Sequence, residues 1–247
     1  MTEPREFRWA LQVSAPRFDM DDAIAWYGAN SDPTIHNVGS DTTPLFLLTS
    51  PQLEVLGTAS EVEDVAAKLL AIVNGVLFVL EPDRVPLTSA GVQERGADGK
   101  WIHHLTATGL VTGRSRVRAI GMAIVGGQPS SQHTRPAPAL RWSAAAKTDE
   151  VVSHVFKYLS GKPDWFDLYN AFDLMRDDIN RRIDKHRQQQ MGWPVKKDLD
   201  HFTLSAQVYR HAPPWDGGYT PATAMPLHKA RRFIQSLTNI WLTWRFP

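Results

Sequence analysis

The sequence predicts an α+β protein, with a mixed N-terminal portion of antiparallel strands and one main helix, followed by a mainly helical C-terminal portion. Three observations carry this. Phe7, Trp9, Leu11 and Val13 alternate with Arg8, Ala10, Gln12 and Ser14, the period of a strand with one buried face. Trp165, Leu168, Tyr169, Phe172, Met175, Ile179 and Ile183 recur instead at helical spacing. The chain has 247 residues, 43% hydrophobic and 21% charged, which is enough for a substantial core and too apolar for disorder as the main state. The expected division is an α+β domain over 1–126, a linker or long surface connection over 127–146, and a helical domain over 147–247.

After the first strand the stretch 26–44 is rich in turn residues, among them Gly28, Asn30, Asp32, Pro33, Asn37 and Gly39. Short apolar strands are expected at 45–49 and 53–56, separated by Ser50-Pro51-Gln52. Ser60 and Glu63 have the spacing of a capping box, followed by Val62, Val65, Ala66, Leu69, Leu70 and Val73 on one helical face. Asn74-Gly75 predicts a left-handed helix stop, with 76–80 as a buried strand. Ala97-Asp98-Gly99-Lys100 predicts a hairpin turn into a strand near 101–110, and 116–125 predicts another.

Beyond the linker, Thr148 is the expected cap of a helix faced by Val151, Val152, Val155, Phe156 and Leu159, and Gly161 ends it. Pro163 suits the first turn of the next helix, where Asp164 and Asp167 complement the dipole. Gly192-Trp193-Pro194 breaks the chain, and a shorter helical segment follows near 196–209. Leu227, Ala230, Ile234, Leu237 and Trp241 face a terminal helix that opens at Pro226.

The absence of cysteine excludes disulfides, thiolate metal sites and thiol catalysis. A charged N-terminus with no apolar stretch behind it predicts no signal peptide, no membrane span and a cytoplasmic location. A net charge of +1 argues against bulk duplex DNA as the main partner, although residues 151–247 carry +5 and residues 1–150 carry −4. Phosphate-loop, dinucleotide, nucleophile-elbow and zincin signatures are all missing, so no cofactor and no metal site is expected.

Four groups remain as candidates. Asp198, Asp200 and His201 bring carboxylates and an imidazole to one short helix, the makings of a general base or weak metal site. Asp173, Asp177 and Asp178 are paired acids, but Arg176, Arg181 and Arg182 at helical spacing favour an ion-pair face. Arg181, Arg182, Lys185 and Arg187, with Lys196 and Lys197, form a basic run suited to phosphate contact. Trp26 and Tyr27, and Trp215 and Tyr219, place aromatics in glycine-rich loops, where rigid rings give a partner contact area at little entropy cost. His103 and His104 are adjacent on a strand, face opposite ways and cannot chelate together.

Trp165-x-x-Leu168-Tyr169-x-x-Phe172-Asp173, Phe202-x-x-Ser205-Ala206 and Arg210-His211 stand in the order W-x-x-L-Y-x-x-[FY]-[ED], F-x-x-S-A, R-H. Followed by Pro226, Ala230, Arg231, Phe233 and Ile234, this pattern resembles the C-terminal signature of a widespread set of uncharacterised bacterial proteins. It covers about 70 residues, while the first half of the chain matches only loosely around Val73-Asn74-Gly75; Gln207 stands where the set commonly has Asn. The resemblance carries no activity. It implies that Ser205, Arg210 and His211 matter together, either as an anion site or as a buttress of the helices.

The expected function is therefore a non-catalytic binding or assembly protein of a bacterial complex, engaging a protein partner through aromatic loops and a basic C-terminal surface. The alternatives are a metal-dependent hydrolase or nuclease built on the acid–His cluster, and a nucleic-acid-binding protein.

Overall fold

A computed structural model of the protein describes residues 7–28, 31–40, 42–104, 137–210 and 223–247. The chain is α+β, as the periodicities predict, and divides into two compact units. One comprises Met1–Val65 and Leu87–Leu140, the other Ala66–Pro86 and Arg141–Pro247. No helix among the described residues is long and apolar enough to cross a membrane. The expected strand at 116–125 and the linker residues 127–136 lie outside the described residues.

The first unit contains β1 (Trp9–Ser14), α1 (Arg17–Tyr27), β2 (Thr34–Asn37), β3 (Phe46–Thr49) and α2 (Pro51–Glu54). It continues with the first turns of α3 (Ala59–Leu80), then β4 (Thr88–Arg95) and β5 (Trp101–His104). The strands form an antiparallel sheet in the order β2-β3-β1-β4-β5. β1 is central, so Ala10 is as buried as Leu11, and the expected one-sided alternation is only partly kept. The Glu54 carboxylate accepts from the Arg8 and Trp9 amides at 2.8 and 3.1 Å, and Trp9 Nε1 donates to the Leu56 carbonyl at 3.1 Å. Opposite β1, β4 carries one extra residue between its pairings with Leu11 and Val13. Gly91 occupies this bulge at φ +113°, which side chains with a Cβ rarely adopt.

Several local expectations are corrected in this unit. Residues 53–56 do not form a strand, because Ser50 caps α2 by accepting from the Gln52 amide and Pro51 fits its first turn. Trp26 and Tyr27 belong to α1 rather than to a loop, and Tyr27 is completely buried. The capping box of α3 lies two residues earlier than predicted. Thr58 Oγ1 accepts from the Glu61 amide, and Glu61 accepts from the Thr58 amide at 3.0 Å. The predicted hairpin turn does join β4 to β5, with the Gly96 amide donating to the Lys100 carbonyl at 2.8 Å.

The second unit holds the rest of α3, most of α4 (Ala137–Thr148), α5 (Glu150–Leu159), α6 (Trp165–Arg182), α7 (Lys185–Gln190), α8 (Lys196–Arg210) and α9 (Leu227–Arg245). α3 does not stop at Asn74-Gly75 but runs on through the expected strand at 76–80. The glycine serves close approach instead of a left-handed cap. A Cβ on Gly75 would stand 2.5 Å from the Cβ and 2.7 Å from the Cα of Phe156 in α5. α4 overturns the expectation of a linker across 137–146, since its run of alanines favours helix. Asp149 rather than Thr148 caps α5, accepting from the Val152 amide at 3.1 Å. Asp164 and Asp167 form a reciprocal capping box on α6. α6 ends at Arg182 with Ile183 as its C-cap, in line with the expected face, and Asp184 caps α7 by accepting from the Arg187 amide.

The apolar faces of α5, α6 and α9 bury Val155, Phe156, Leu168, Phe172, Met175, Ile179, Ile234, Leu237 and Trp241. Asp178 lies among them at 2% exposure. It accepts from Arg182 Nε at 2.8 Å and Trp241 Nε1 at 3.0 Å, and makes an ion contact of 3.2 Å with Arg245 Nη1. Arg245, its side chain 7% exposed, also pairs with Asp149, so one network ties the start of α5, the end of α6 and the end of α9.

Two stability predictions follow from this packing. Gly75→Ala gains up to about 1 kcal/mol of helix propensity but overpacks against the Phe156 backbone, a cost of about 1–3 kcal/mol, so urea unfolding is expected to show net destabilisation. A variant as stable as the parent would mean that α5 yields at this crossing. Asp178→Asn leaves Arg245 with Asp149 as its one acid in the network and is expected to cost about 1–3 kcal/mol. Arg245→Met in the same chain should recover part of that loss; strictly additive costs in the double-mutant cycle would dissolve the network into independent contacts.

Candidate functional site

The most distinctive surface of the second unit lies where the first turns of α6 meet the last turn of α8. The Asp164–Asp167 capping box fixes the start of α6, with the Asp164 carboxylate accepting from the Phe166 amide at 2.8 Å and the Asp167 amide at 3.1 Å. Burial pushes the Asp167 carboxyl up from its ordinary value. Beneath the surface, Phe202 of α8 packs against Trp165 and Phe172 of α6 and Phe233 of α9, with ring centroids 5.3–5.9 Å apart. These contacts hold α8 in register against α6, and two turns further along α8 its final residues reach the surface.

There Tyr209 stacks on Trp165 at 5.0 Å with an interplanar angle of 10°. The Arg210 guanidinium lies 4.2 Å from the Tyr169 ring centroid and 5.6 Å from that of Phe166. Phe166 is 55% exposed and Tyr209 48%. Arg210 is half-buried and makes no hydrogen bond or ion pair with any described residue. At the same end of α6, Arg231 Nε donates to the Pro163 carbonyl at 2.9 Å and Lys162 is exposed. The result is a set of flat, immobilised rings carrying a guanidinium, able to take an apolar group and an anion side by side.

Ser205 and Arg210 do not converge. Ser205 is completely buried, and its Oγ donates to the His201 carbonyl at 2.6 Å and accepts from the Met225 amide at 2.8 Å. This fastens the approach to α9 onto α8, the buttress alternative. Five residues further on, Arg210 points to another side of the helix. His211, Trp215 and Tyr219 lie outside the described residues.

The other predicted groups are placed as follows. Asp198, Asp200 and His201 are exposed on the first turns of α8, and His201 Nε2 lies 3.4 Å from the Thr223 carbonyl oxygen. No group of three or more His, Asp or Glu among the described residues could hold a metal ion. Asp173 pairs with Arg176, and Asp177 stands 3.6 Å from the same guanidinium, an ion-pair face as the spacing suggests. Arg182 is bound by Asp178, and Arg181 Nε donates to the Asp177 carbonyl at 3.1 Å. Lys185, Arg187, Lys196 and Lys197 remain as exposed cations, while the Arg187 amide holds the Asp184 carboxyl below its ordinary range.

In the first unit, His103 and His104 face opposite ways, contacting Gln93 and Glu94 respectively. Arg8 keeps the Glu94 carboxyl below its usual range, and burial holds His36 below its ordinary value. Sequence reasoning missed the inward role of Asp178. Its signal was present, since it stands three residues after Met175 on the apolar side of α6.

Ser205→Ala removes the acceptor of a buried amide and is expected to destabilise the protein by about 1–3 kcal/mol. Hydrogen exchange at the Met225 amide should accelerate in step; unchanged exchange there would return the hydroxyl to the list of ligand groups. No family model, curated protein or solved structure matches this chain.

Proposed function

We propose that the protein is a non-catalytic binding or assembly component of a bacterial complex, and that its helical unit engages a protein partner through the face formed by Phe166, Tyr169, Tyr209 and Arg210. The observation that supports this reading is the half-exposed state of Phe166 and Tyr209, the first beneath the Arg210 guanidinium and the second stacked on Trp165. Aromatic and arginine side chains held in this way lose little entropy on binding and contribute most to protein interfaces. The exposed Lys185, Arg187, Lys196 and Lys197 add positive charge to the same unit and favour encounter with an acidic surface.

A photo-crosslinking residue at position 166, in the full chain expressed in a bacterial host, tests the proposal. The control is the same residue at position 18, since Phe18 is comparably exposed but belongs to the other unit. A discrete protein adduct is expected from position 166 and not from 18. Tyr209→Ala should reduce it about tenfold, the loss of a central aromatic contact. Equal labelling from both positions, or labelling indifferent to Tyr209, would remove this face as the interface.

A further inference from the structure

Resting on that interface reading, we infer that the segment docking on this face is acidic and that Arg210 receives one of its carboxylates. The inference comes from desolvation. Arg210 lies so close to Tyr169 and Phe166 that no partner can cover the rings without also covering the guanidinium. An ionised group taken out of water without a counter-charge loses several kcal/mol, enough to cancel the gain from covering one aromatic side chain. No described residue supplies such a counter-charge, since Arg210 makes no ion pair among them.

The nearest carboxylates on α6 are already engaged. Asp164 accepts from the Phe166 and Asp167 amides, and Asp167 accepts from the Asp164 amide at 3.2 Å. Lys162 is exposed two residues before Asp164, and Arg231 is bonded through Nε to the neutral Pro163 carbonyl. The counter-charge is therefore assigned to the partner. A guanidinium over a ring donates no hydrogen bond to it, and its N–H fork matches the two oxygens of an Asp or Glu carboxylate. Phe166 and Tyr209 beside it require an apolar or aromatic neighbour of the acid. The occupant is thus a peptide segment that alternates acidic and apolar side chains.

Two pools of fluorescent degenerate heptapeptides test this with the full-length protein. Both carry Phe or Leu at alternate positions; one has Asp and Glu between them, the other Asn and Gln. The acidic pool is expected to bind about tenfold more tightly than its amide twin, with an affinity that falls as salt rises. Arg210→Met keeps a long apolar stem and should erase the preference, while Arg210→Lys should restore only part of it. An unchanged melting temperature in both variants assigns the effect to binding.

Equal binding of the two pools, or a preference that survives Arg210→Met, overturns the inference. So does the absence of binding by the acidic pool at millimolar concentration. If position 166 still crosslinks a protein in any of these cases, the interface stands and only its acidic specificity falls. If neither crosslink nor peptide binding is found, both fall.

Discussion

The helical unit depends on one buried carboxylate. Asp178 sits on the inward face of α6 and holds together Trp241 and Arg245 of α9, while Arg245 reaches Asp149 at the start of α5. Charges in such a place are weak contributors to net stability, because desolvation offsets most of their attraction. Their value is in direction. Apolar faces slide and rotate against one another at modest cost, whereas a carboxylate facing two guanidiniums and an indole N–H permits one axial register. Asp149 does double duty, since the same side chain caps α5, so the ion network also marks where that helix begins.

That register is transmitted along α6 to the candidate interface. Trp165 and Asp178 lie thirteen residues apart, about 20 Å of helix at 1.5 Å per residue. With one end of α6 fixed by the ion network and the other by its capping box, Trp165, Phe166 and Tyr169 are presented at a set angle to α8. The Phe202 contacts and the Ser205 bridge do the same for Tyr209 and Arg210 from the other side. Phe166 and Tyr209 are thus positioned by interactions that leave them half-exposed. This is how rings remain exposed without becoming mobile, and a binding face needs both properties at once.

What was legible in the sequence was what local chemistry decides. The periods of β1, α6 and α9, the turn before β5 and the acids at the start of α6 all appear where their patterns place them. The misreadings fall where a distant residue overrides a local preference. Asn74-Gly75 favours a helix stop in isolation, but α5 requires a residue without a Cβ opposite Phe156, and α3 continues through it. Residues 76–80 are apolar on every side, so they fit a buried strand or a buried helix equally well until their neighbours are known. Ser205 and Arg210 were legible as members of one pattern but not as members of different structures. The helical repeat already turns them to different sides of α8, but which side receives the Met225 amide is set by the approach to α9 and not by a local period.

The two arginines that end helices α8 and α9 show why one surface is closed and the other open. Arg245 and Arg210 both lie over aromatic rings, Arg245 beside Trp241 and Phe246, Arg210 beside Tyr169 and Phe166. Stacking therefore does not distinguish them. Counter-charge does, because Arg245 meets Asp149 and Asp178 within its own chain and is buried, whereas Arg210 meets neither acid nor carbonyl among the described residues and stays at the surface. A guanidinium enters a core only when its anion is folded in with it. By the same rule, a guanidinium left on an aromatic face without an anion keeps that face wet until something brings one.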